Sequence, residues 1–183
     1  MSEILNTIMY RVSSPRLSAP APEKQELDIF FRCAVRAPDH GRIRPWRFVV
    51  LQGRALEDLG AAFEAAQPEA DEAQKLRLRA MPLRAPMIIV TIAKLDPEHK
   101  KVPVWEQQVA AGIATQHIQL AAKELGYGSM WRTGPMTESA PVKAFFDLQS
   151  GEQIVAFLYV GRVDGEPREA DFQSLDEIVE YRD

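Results

Sequence analysis

Pro86-Met-Ile-Ile-Val-Thr-Ile-Ala93 is an apolar run interrupted only by Thr91, opened by a proline and closed by Lys94-Leu-Asp-Pro97. Its length and β-branched content fit a strand buried on both faces, near the centre of a sheet. Gln153-Ile-Val-Ala-Phe-Leu-Tyr-Val-Gly161 is a second run of the same kind, and Trp46 to Leu51, closed by Gly53, is a third strand rich in aromatic and β-branched residues. A shorter strand is expected within Ser129 to Gly134.

The segments between them carry helical periodicity. Trp105 to Leu125 is the longest, about six turns, and its apolar residues fall nearly all round, which predicts a buried helix. Small residues at Ala110-Ala111-Gly112 and Ala114 permit another helix to approach closely, and Gly126-Tyr127-Gly128 ends it. Residues 2 to 10 predict a short helix, and Glu23 to Val35 an amphipathic one that stops where Ala37 precedes Pro38. Ala55 to Leu83 reads as two covering helices broken at Pro68, and Ala140 to Asp147 as one more. Strands alternate with helices, but no Gly-x-Gly-x-x-Gly or Walker-type phosphate loop is present. An α+β fold with helices packed on a small sheet fits this order better than a Rossmann domain.

At 183 residues the chain is expected to be a single domain, 1–183, able to bury a core without metal or disulfide. The first apolar stretch holds Glu3 and Asn6 and has no basic start, and no run of about 18 apolar residues occurs. A cytoplasmic protein, with no membrane and no metal, is expected. His40, His99 and His117 stand far apart, and the single Cys33 lies on an apolar helix face, where a thiol packs as a small hydrophobe. A net charge of −4 argues against a nucleic-acid module.

Against that negative balance, Arg36 to Phe48 (Arg-Ala-Pro-Asp-His-Gly-Arg-Ile-Arg-Pro-Trp-Arg-Phe) gathers four arginines and a histidine in a loop between helix and strand. Loops of this composition on a rigid scaffold display polar groups to ligands. Arg11 to Arg16 and Trp131 to Thr133 are two further segments rich in donors. Arginine's planar fork suits phosphate and flat carbonyl-bearing rings, and a hydroxyl such as Ser13 adds a donor. Convergence of the three would make a pocket for a molecule with one phosphate end and one aromatic end. Each has an ordinary reading on its own: solvated arginines, a Trp131 packed in the core, a His40 that serves only its turn, a Glu106 facing a helix dipole. Asp39 and Glu106 show no pairing in the sequence, and Arg42 and Arg47 read as surface charge.

In combination these segments resemble the nitroreductase family. Arg11-x-Ser13 after a short first helix, Arg36-Ala-Pro-Asp-His40 followed by Pro45-Trp46, Trp105-Glu106-Gln107 opening the long helix, and Gly126 to Gly134 stand in the family's order, and its small NAD(P)H nitroreductases are the most similar subgroup. The resemblance implies an α+β fold, an intertwined homodimer, and FMN at the subunit interface. Carried over, Arg11, Val12, Ser13, Trp131, Arg132 and Thr133 would line the FMN, with Arg36 and His40 reaching it from the partner subunit. Ala121, Ala122, Lys123, Glu124, Leu125 and Gly126 would contact the nicotinamide of NADH or NADPH. The activity implied is ping-pong transfer of hydride from NAD(P)H through FMN to a nitroaromatic or quinone-like acceptor, with no side-chain nucleophile, acid or base, and with Arg132 beside the flavin. The alternative is a non-catalytic FMN-binding protein for storage or sensing. Two departures stand out: Val12 replaces an arginine usual in the subgroup, so Arg16 is expected to compensate, and Arg44 stands where many relatives carry Gln or Asn.

Overall fold

The computed structural model describes residues 2–166 and 168–182. Along the chain lie α1 (Glu3–Met9), β1 (Leu17–Ser18), α2 (Lys24–Ala34), β2 (Trp46–Gln52), α3 (Arg54–Ala65), α4 (Glu72–Ala80), β3 (Met87–Lys94), α5 (Val104–Glu124), β4 (Gly128–Arg132), α6 (Ala140–Phe145) and β5 (Glu152–Val163). The apolar run is β3, flanked on both edges by antiparallel partners, β2 and β5. Met87 to Ala93 are all buried and only Lys94 emerges. The two-residue β1 and the short β4 both pair with β5. Every pairing between these strands is antiparallel, which is why no βαβ unit could be found.

Strand alternation splits β3 between two cores. Ile88, Val90 and Ile92 join Phe157 and Tyr159 of β5 against Leu56, Leu59 and Phe63 of α3, Leu78 of α4 and Val142 of α6. Met87 and Ile89 join Leu158 and Val160 against Phe30 and Ala34 of α2 and Ala114, Ile118 and Ala122 of α5. Each large side chain moved from water into these layers contributes about 1.5–3 kcal/mol. Thr91, the polar interruption in the run, is fully buried and accepts a 2.8 Å hydrogen bond from the hydroxyl of Thr115 on α5. The small residues of α5 therefore serve the sheet and α2.

α5 is less enclosed than its composition predicts. Trp105 is 62% and Val109 50% exposed, and the apolar residues Ile4, Leu5 and Ile8 of α1 are exposed as well. The helix ends at Gly126, whose φ of +77° is the left-handed value that favours glycine. There the Tyr127 amide donates back to the Ala122 carbonyl, and Arg162 donates to the carbonyls of Leu125 and Gly126.

Arg47 is not the solvated charge that its loop suggested. Its guanidinium donates twice to the Glu152 carboxylate, at 2.8 Å each, and once to the Phe146 carbonyl, tying β2 to the start of β5. This pairing holds the Glu152 carboxyl below its ordinary range. Cys33 is half-buried rather than buried.

Candidate functional site

The arginine loop leaves α2 after Ala34 and makes a single tight turn at His40–Arg42. Gly41, Arg42 and Arg44 all have positive φ, of 74°, 55° and 51°, and for the two arginines that conformation costs on the order of 1 kcal/mol each. Two carboxylates hold it. Asp39 Oδ2 accepts from the Arg44 amide at 2.7 Å, and Glu106 Oε2, in the first turn of α5, lies 2.7 Å from His40 Nδ1. Both acidic residues are thus paired, contrary to their reading in the sequence. The partner of His40 is 66 residues away, so no local pattern could reveal it. Arg36, Arg42 and Arg44 are exposed.

The turn at Arg11-Val12-Ser13 lies against the start of β4, where the Ser14 amide donates to the Ser129 carbonyl at 3.0 Å. Beside it opens a cleft of about 600 Å³ walled by Arg11, Val12, Lys123, Tyr127, Ser129 and Arg168, with Glu169 the carboxylate on its wall. Burial, and next the charge of Arg11, hold the Lys123 ammonium below its ordinary pKa. Among the described residues Arg11, Lys123 and Arg168 form no ion pair. Like charges held together at a cost are a ready site for an anion. Arg16, expected to compensate for Val12, does not line this cleft. It borders a neighbouring hollow with Asp164 and Glu166.

Further along β4, Trp131 and Arg132 turn to opposite faces. Trp131 packs toward α5, where a Cβ at Gly112 would meet its ring at 3.7 Å. Arg132 lies over the Tyr159 ring, 5.6 Å from its centroid, with Nη2 3.3 Å from the Met130 sulfur. Arg132 and the exposed Thr133 border a hollow of about 280 Å³ with Phe63, Met136 and Tyr159. Burial pushes the Tyr159 phenol up. Arg36 lines a third, more apolar hollow with Ile4, Ile8, Cys33, His117 and Leu120.

The chain therefore brings Arg11 and Val12 to one end of β4 and Trp131, Arg132 and Thr133 to the other, with Ser13 bridged to Ser129 between them. Arg36 and His40 line neither β4 hollow. The segment 121–126 is divided. Ala121 and Ala122 are core residues, Lys123 and Gly126 face the Arg11 cleft, Glu124 accepts from the Thr7 hydroxyl at 2.6 Å, and the Leu125 carbonyl accepts from Arg162. Arg168 was not anticipated, because its only sequence context is a polar tail. Among the described residues no group of three His, Cys, Asp or Glu could hold a metal, and no helix is long and apolar enough to cross a membrane.

The model of the Nitroreductase family matches residues 8–162. The Escherichia coli K12 protein named "Putative NAD(P)H nitroreductase YdjA" is 39% identical over 161 residues, 87% of each chain. The crystal structure of a nitroreductase-like family protein from Bacillus cereus aligns with a TM-score of 0.85 at 25% identity, covering 100% of this chain and 97% of the other. NfnB, an FMN and NADPH-dependent nitroreductase from sphigopyxis sp. strain HMH, aligns over 100% of both chains with a TM-score of 0.78 at 18% identity, a likeness of fold. The antiparallel sheet between two helical layers, the turn at Arg11 against β4 and the loop at His40 all lie inside the matched span, and the chain belongs to the nitroreductase family, with its α+β fold.

Proposed function

We propose that the chain, as a single domain over 1–183, is an FMN-dependent NAD(P)H oxidoreductase that works as a homodimer and passes electrons to nitroaromatic or quinone-like acceptors. The observation that carries this reading is the cation cluster of Arg11, Lys123 and Arg168 at one end of β4, with Arg132 at the other end. A phosphate-bearing ligand with a flat polar ring fits that donor set, because a dianionic phosphate neutralises the cluster while a ring laid along β4 would meet Arg132 and Thr133, with Trp131 on the other face of the strand. NfnB, a relative in fold, is an FMN and NADPH-dependent nitroreductase.

In this reading Arg11, Lys123 and Arg168 hold the phosphate and Val12 supplies apolar contact, while Ser13, which does not itself line the cleft, ties the turn to Ser129 and Trp131 backs β4 from the α5 side. Bound FMN would supply the two-electron carrier between nicotinamide and acceptor. Arg132 offers positive charge where negative charge develops on reduction, in a hollow whose Met and Phe walls strengthen the interaction. The nicotinamide would bind over the ring at the Arg132 end, whereas Lys123 and Gly126 of the 121–126 segment face the phosphate cleft. One hollow beside Arg132 serves donor and acceptor in turn, hence ping-pong kinetics. Arg36 and His40 complete the site from the partner subunit, and the exposed apolar residues of α1, Trp105 and Val109 of α5, and Phe172, Leu175 and Ile178 of the tail are the surface such a partner would cover.

Titrating the purified chain with FMN and following flavin fluorescence tests the reading. Saturation at one FMN per chain is expected, and fluorescence that stays that of free FMN overturns it.

A further inference from the structure

His40 is fixed by one side chain, and the chemistry of that contact dictates which ring nitrogen carries a proton. Glu106 Oε2 sits 2.7 Å from Nδ1, and a carboxylate oxygen accepts, so Nδ1–H is the donor. The other nitrogen, Nε2, has no partner among the described residues, on a side chain 58% exposed. An exposed pair of this kind adds little stability, yet the loop is built to make it. Arg42 and Arg44 adopt positive φ, Asp39 clamps the Arg44 amide, and the Gly41 backbone rests on Val102 just before α5, where a Cβ would lie 3.4 Å from Val102 Cγ2. Strain of this sort persists only where its surroundings over-determine it. The two other histidines show both alternatives. His99 Nδ1 accepts from the amides of Lys101 and Val102, which requires Nε2–H, whereas His117 Nδ1 faces the Cys33 carbonyl and must donate.

We infer that Glu106 is a positioning residue: it holds His40 with a proton on Nδ1 and the ring turned so that Nε2, the acceptor of the neutral ring, is presented toward the flavin site. The recognition group is thus the pair, one member from the arginine loop and one from the first turn of α5. The proposal rests on the FMN reading only for what Nε2 meets, and the tautomer itself belongs to the flavin-free chain.

Long-range proton–nitrogen NMR of the three histidine rings tests it, with His40→Ala identifying the His40 signals and His99 serving as the opposite-tautomer reference. The flavin-free wild type is expected to show His40 protonated at Nδ1. Glu106→Ala should lose that preference and bind FMN about fivefold or more weakly, the equivalent of one net hydrogen bond. Glu106→Gln, whose amide oxygen still accepts, should keep the tautomer and most of the affinity. An unchanged tautomer in Glu106→Ala overturns the inference, as does a changed tautomer with unchanged affinity, or a Glu106→Gln that behaves like Glu106→Ala. If His40→Ala binds FMN as wild type does, the placement of His40 at the flavin fails, and the tautomer spectra still decide whether Glu106 sets the ring.

Discussion

Replacing Arg11 and Lys123 together by alanine is expected to weaken FMN binding by about a hundredfold or more, with little change in the melting temperature of the flavin-free chain. A hydrogen bond to a charged group contributes about 1.5–3 kcal/mol, and each 1.4 kcal/mol is roughly tenfold in affinity. Both residues line one cleft and form no ion pair among the described residues, so no ion pair is lost with them. Burial and Arg11 both disfavour the charged form of Lys123. Removing the pair therefore relieves repulsion in the empty protein while abolishing attraction for a phosphate. Arg11→Ala alone should cost less than half the double substitution, because the charge it leaves at Lys123 becomes easier to maintain. Calorimetric titration with FMN reads the affinities. A double variant that binds FMN as the wild type does would place the phosphate elsewhere.

Gly60→Ala is the substitution with the largest expected effect on folding. A Cβ at Gly60 would collide with the Arg79 carbonyl oxygen, so α3 and α4 touch backbone to backbone at that point. A backbone carbonyl in α4 cannot rotate away as a side-chain end can, and the two helices are also tied by the ion pair of Arg79 with Glu64. Forcing them apart disturbs Leu56, Leu59, Phe63 and Leu78, which share one core with β3 and β5. Overpacking of this kind costs about 1–3 kcal/mol, which for a chain of this length lowers the melting temperature by roughly 3–10 °C. An unshifted thermal melt would mean that the helices do not meet so closely.

The fold was legible where one segment carried its own evidence. β3 announced itself by an apolar run interrupted only by Thr91, α5 by its length and by the glycine that ends it, and α2 by its apolar face and the proline beyond. The site was legible only in its parts. Arg47 pairs with Glu152 and His40 with Glu106, at separations of 105 and 66 residues, and neither pairing leaves a local trace. Lys123 is named from the sequence only among the nicotinamide contacts that the resemblance implies, its place beside Arg11 follows from the fold, and Arg168 reads as one more polar residue of the tail. The opposite facing of Trp131 and Arg132 follows from strand alternation as soon as β4 is taken as a strand. The exposed apolar residues of α1 and α5 read in the sequence like buried ones, because periodicity marks an apolar face and not what covers it.

Anaerobic reduction of the FMN-loaded protein by NADH or NADPH tests the central claim most directly. With bound flavin confirmed by gel filtration, either nicotinamide should bleach the visible flavin band, and a quinone or nitroaromatic added afterwards should restore it. Flavin that stays bound and oxidised in the presence of both nicotinamides would contradict an oxidoreductase and leave a protein that only holds FMN.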